Sequence, residues 1–266
     1  MFRVAVLIPS PPVLVPELCG GSPLADPAHR AAQVPVVREE VLAAGRILAE
    51  QASQWTVVGV GERAQALGPD AVGTFRGYGA DLQVALSAAA LAGGSADPSL
   101  PLAVLTGPSA DPRLPLAALI GGWLRGQVAP EAVADARIVE SDAPADHCLE
   151  VGATLRGELD ARAEDCGVLV VADGAATLST AAPGYLDLRA GELQERIDRA
   201  LTAGDRDEIA RLDAGLCAEL DVSGRAAYQV LAGLFGDAAP TVETRYQAAP
   251  FGVGYQVSVW HPGGGA

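Results

Sequence analysis

The sequence predicts a single α/β domain built on a mostly parallel central sheet, with helices on both faces. Three observations carry that expectation. Short runs rich in β-branched residues alternate with stretches of helical periodicity along the whole chain. Half of the 266 residues are hydrophobic and the mean hydropathy is +0.24, ample for a large buried core. Polar residues gather just after the predicted strands, where open α/β sheets bind ligands.

In chain order, residues 2–8 read as a buried strand ended by Pro9. Val37, Val41, Ala44 and Leu48 then recur at helical spacing and mark one apolar helix face. Further strands are expected over residues 55–60, 102–105, 136–139 and 167–172. Helical stretches fall near residues 81–91, 114–124 and 146–163. After Gly184 the pattern turns helical over 192–203, 206–220 and 224–235. Two closing strands, 241–246 and 254–260, flank the turn Ala249-Pro250-Phe251-Gly252. Residues 92–101 read as a surface loop, because strand–helix alternation continues across them. The domain therefore covers residues 1–262, with a flexible Gly-rich tail over 263–266.

Charge and composition narrow the function classes. Lys plus Arg number 18 against 33 Asp plus Glu, a formal charge of −15, which repels phosphate backbones and argues against nucleic-acid binding. No polybasic anchor or membrane-length apolar run is present, and residues 1–8 lack the layout of a signal peptide. The four cysteines, Cys19, Cys148, Cys166 and Cys217, are scattered without a C-x-x-C pair, which fits reduced thiols in a cytoplasmic protein. Gly59-Val60-Gly61-Glu62 follows a strand, but the third glycine of a dinucleotide fingerprint falls on Ala64. Neither a Walker-type loop nor a G-x-S-x-G elbow occurs.

The candidate polar residues follow the strands. Ser10 stands in Pro9-Ser10-Pro11-Pro12, a rigid loop with few N–H donors; serines so placed commonly bond a nearby backbone group. Asp173 follows the strand over 167–172, and its plainer role is a turn former or helix cap. Of the three histidines, His29 sits in a Pro/Ala loop and His261 near the end, both read as solvated. His147 begins a helix beside Asp146, where local hydrogen bonds alone would account for it. Cys148 is its neighbour in sequence, but adjacent helical residues do not face each other, so a Cys–His dyad is not expected.

Four segments in order resemble the class III extradiol dioxygenase (LigB) superfamily, in its MEMO-like branch. Ile8-Pro9-Ser10-Pro11-Pro12-Val13-Leu14-Val15-Pro16-Glu17 is similar to the family's P-H-P-P opening. Asp146-His147-Cys148-Leu149-Glu150-Val151 resembles its D/E-H-[GS]-L-x-V stretch. Residues 170–178 occupy the place of its S-G-D-L-S-H loop. Tyr246-Gln247-Ala248-Ala249-Pro250-Phe251-Gly252-Val253-Gly254-Tyr255 resembles Y-E-x-P-F-G-V-G-Y. The resemblance spans residues 2–260 and implies a LigB-like fold and a homodimer or higher assembly.

It also implies Fe(II) held by two histidines and a carboxylate, with a further histidine as acid/base. Here Ser10 and Glu62 stand at the two ligand-histidine positions and Ala176 at the acid/base position. The carboxylate position falls on Val222 or Asp221. Asp146 and His147 match the family's pocket pair, and Asp173 matches the aspartate of the altered loop. The expectation is a catalytically inactive or divergent member without a cofactor, binding a small aromatic or other small molecule in the former catechol cleft. Ser10, Asp146 and His147 are its candidate ligand contacts. The alternatives are a metal-free acid/base or hydrolytic enzyme using Ser10, Glu62, His147 and Asp173, and a dioxygenase with unusual ligands. Glu62 and Asp221 with Ser10 would make an oxygen-rich site suited to Mg²⁺ or Ca²⁺.

Overall fold

The computed structural model describes residues 1–19, 30–92, 110–236 and 239–263. The strand expected over 102–105, the segment 106–109, most of the 92–101 loop, His29 and residues 264–266 lie outside them. The chain forms one α/β fold around a seven-stranded mixed sheet.

Its centre is parallel. Strand β1 (Phe2–Ile8), β2 (Gln54–Gly61), β6 (Val133–Glu140) and β7 (Cys166–Val171) lie in the order β6-β2-β7-β1, all parallel. The central β7 is buried at every residue, and β1 at all but Arg3. That is why these strands read as continuous apolar runs rather than alternating ones. The edges correct the mostly parallel expectation. Strand β3 (Gln65–Leu67) pairs antiparallel with β6, while β9 (Tyr255–His261) runs antiparallel to β1 and carries β8 (Thr241–Ala248) outside it.

Helix α1 (Val34–Gln51) buries Val37, Val41, Ala44 and Leu48 as the spacing predicts. With α3 (Leu116–Val128) it covers one face, over Val4, Val6, Ile8, Val57, Leu169 and Val171. The other face meets α4 (Ala145–Asp160), α5 (Ala190–Ala203) and α8 (Arg225–Phe235), packed on Ala5, Leu7, Val58, Val168 and Val170. Helices α4 and α8 approach closely through two glycines. A β-carbon on Gly152 would overlap the Val230 carbonyl oxygen, and one on Gly233 the Leu149 carbonyl oxygen.

Two helical expectations change. Residues 81–91 are not one helix. Strand β5 (Gln83–Ala85) pairs with β4 (Val72–Thr74) in a separate two-stranded sheet, and only α2 (Ala88–Ala92) is helical. Tertiary pairing overrides the local helix signal there. The stretch 206–220 is two helices, α6 (Arg206–Ala210) and α7 (Ala214–Glu219). Asp213 restarts the chain by accepting the Leu216 N–H at 2.7 Å as an N-cap. Among the described residues, no helix is long and apolar enough to cross a membrane.

Candidate functional site

Register builds the site. In the β1–β7 ladder Ile8 lies opposite Val171, and the Ala172 N–H donates to the Ile8 carbonyl at 3.0 Å. Continuing two residues places Ser10 beside Asp173. The Ser10 N–H donates to Asp173 Oδ1 at 2.7 Å and the Ser10 hydroxyl to Oδ2 at 2.5 Å. One serine thus engages both carboxylate oxygens. The flanking prolines hold that loop rigid.

The Asp173 loop is itself pinned. The Gly224 N–H, at the start of α8, donates to the Asp173 carbonyl at 2.9 Å, and the Gly174 N–H donates to the Gly254 carbonyl at 2.8 Å. Buried Gln194 on α5 accepts the Ala175 N–H at 2.8 Å and donates to Asp198 at 2.7 Å. Its amide packs where β-carbons on Gly174 or Gly254 would sit, so a side chain at either position would displace it.

Asp173 lies deep among protein atoms yet keeps part of its surface open to solvent. Burial pushes its pKa up to about 6, against the two Ser10 hydrogen bonds, which favour the charged form. Two phenols feel its charge. Tyr255, at the start of β9, is pushed up by burial first and then by Asp173. Tyr228, on α8, is pushed well up by the same two causes in the same order. A carboxyl poised near neutrality beside a hydroxyl can hold or exchange a proton with a bound hydroxylated molecule.

The other candidates do not join this pair. Glu62 is exposed beyond the end of β2. His147 and Asp146 are exposed on the first turn of α4, where the His147 N–H donates to Asp146 Oδ1 at 3.0 Å. His147 lines an open cavity of about 350 Å³ with Arg137, Glu150 and Glu158. It lies on the first turn of α4, in the helical layer that packs against Ala5 and Leu7, and no hydrogen bond among the described residues links it to Ser10 or Asp173. The Ser10 hydroxyl proton goes to Asp173, not to an imidazole. Ala176 offers no side-chain donor, and its N–H donates to the Leu220 carbonyl at 3.2 Å.

Asp221 has φ of +52° and is exposed, whereas Val222 is buried. Asp221 lines another cavity, of about 500 Å³, with Ser141, Asp142, Cys217, Val222 and Arg225. Among the described residues no three His, Cys, Asp or Glu side chains are grouped to hold a metal. Of the residues at the iron positions, Ser10 is engaged by Asp173, Glu62 is exposed beyond β2, and Asp221 lines a different cavity.

Sequence reasoning missed Tyr255, Tyr228, Gln194 and Arg225. A signal for the last was present: Arg225 and Gln229 stand four apart in an otherwise largely apolar helix, so they face one another and require internal partners.

No family model matches the chain, and no curated protein does. Solved structures do match. One, titled an uncharacterized protein JW3007 from Escherichia coli K12, has a TM-score of 0.55 and 11% sequence identity, covering 97% of this chain and 99% of that chain. The two share a fold. At that identity the likeness reaches nearly end to end in architecture and carries no statement about activity.

Proposed function

We propose that the chain is a LigB-like protein that binds a small hydroxylated molecule without iron, at the carboxyl ends of β1 and β7. Asp173 and Ser10 are its polar anchor. The observation that supports this reading is the Ser10–Asp173 pair, with its recessed carboxyl pushed up to about 6. The resemblance supplies the ligand class, a catechol-like aromatic. A carboxyl in this state accepts a ligand hydroxyl when charged and donates to a ligand oxygen when protonated.

A second reading has one observation in its favour. A proton-bearing group near pH 6 suits general acid/base work on the bound molecule, with Ser10 orienting Asp173. A Ser–His hydrolase has no such support, since the Ser10 hydroxyl donates to Asp173 and no hydrogen bond among the described residues links it to His147.

Calorimetric titration of catechol into chelator-treated protein tests the proposal. Saturable binding by the metal-free chain is expected, with its loss in Asp173→Asn. Binding that appears only with added Fe(II), accompanied by oxygen uptake, would instead make the chain a dioxygenase with unusual ligands.

A further inference from the structure

Helix α8 is buried along its whole length and opens with a charge. Arg225 is 2% exposed. Its guanidinium donates to the Gln229 side-chain oxygen at 2.8 Å and to the Ser141 carbonyl at 2.7 Å, both neutral acceptors. It forms no ion pair within 4.0 Å with a carboxylate of the described residues. A buried cation without a counterion is costly, and neutral acceptors offset only part of that cost. Arg125, likewise 2% exposed, is enclosed by the carbonyls of Ala85, Pro130 and Ala132. Arg225 instead lines the cavity of about 500 Å³.

Two acidic residues line the same cavity. Asp142 and Asp221 line that cavity and are exposed, and neither carboxylate has an ion pair or hydrogen bond among the described residues. Buried Cys217 and Val222, with exposed Ala218, add apolar surface. The cavity opens beside Ser141, just past the end of β6, on the ligand-binding edge of a sheet of this kind. Its volume suits a small molecule.

We propose that this cavity binds a zwitterion of the α-amino-acid type. The ligand carboxylate meets Arg225, its ammonium lies toward Asp142 and Asp221, and an apolar side chain lies along Ala218 and Val222. A simple anion satisfies the arginine but meets two carboxylates. A simple amine leaves the buried cation uncompensated. Only a ligand carrying both charges completes all three. This assignment is independent of the Asp173 reading.

Amide NMR titration of the full chain with L-leucine, isocaproate and isoamylamine tests it. Leucine is expected to saturate, with shifts at Ser141, Asp142 and residues 221–225. Isocaproate lacks the ammonium and isoamylamine the carboxylate, and each should bind about tenfold or more weakly. Arg225→Gln should abolish saturation. Should that variant fail to fold, Ala218→Trp, at an exposed position, fills the cavity and gives the same loss. Absence of saturation at millimolar leucine would overturn the proposal. So would equal binding of isocaproate, or binding unaffected by Ala218→Trp. Catechol and leucine are read separately in one protein, so failure of either reading leaves the other standing.

Discussion

Ser10–Asp173 and His147 come from segments that resemble the same family, and both follow strands of the same sheet. They end in different situations. Ser10 and Asp173 extend β1 and β7, which are hydrogen-bonded neighbours, so the Ile8–Val171 register puts them in contact. His147 is carried by the first turn of α4, beyond β6, and is exposed. Convergence is decided by strand adjacency, not by the order of motifs along the chain. Burial then separates their chemistry: desolvation pushes the Asp173 pKa up, whereas water surrounds His147.

The largest effect that would break this contrast is on ligand binding. Asp173→Asn removes the charged acceptor and is expected to weaken catechol by about tenfold or more; calorimetry that finds undiminished affinity would remove Asp173 from the site. Next comes pH. Because the folded carboxyl has its pKa raised to about 6, the folded chain holds this proton where the unfolded chain has released it. Stability therefore falls as pH rises from the ordinary carboxyl range to about 6, by at most about 3 kcal/mol. Urea unfolding across that window should show the slope in the natural chain and a flatter profile in Asp173→Asn.

A smaller change sharpens the role of the hydroxyl. Ser10→Ala removes a donor that favours the carboxylate, so the Asp173 midpoint should climb above about 6, read by the same urea series. The smallest effect belongs to the other region. His147→Ala, at an exposed helix position, should stay within about 0.5 kcal/mol of the natural chain and leave catechol affinity unchanged. A large loss of binding there would bring His147 back into the site.

Much of the fold is legible in the sequence because the central strands are enclosed by helices on both faces. Residues 2–8, 55–60 and 167–172 are apolar almost without interruption for that reason. The parts that escape are three residues long, β3, β4 and β5, too short for any periodicity. In β5 three residues cannot separate strand from helix, and only the pairing with β4 decides. Asp213 carried a readable N-cap signal within the stretch 206–220. At the site, Ser10 and Asp173 were legible as residues following strands. Their contact was not, since it depends on β1 and β7 being neighbours although much of the chain lies between them. Arg225 was hidden for the opposite reason: its importance lies in burial without a counterion, which composition does not reveal.

The most direct test reads the Asp173 carboxyl itself. Carboxyl-carbon NMR of metal-free protein should give a titration midpoint near 6 that moves when catechol saturates the chain. A midpoint in the ordinary carboxylate range, unmoved by catechol, would contradict a recessed, proton-bearing anchor at this position.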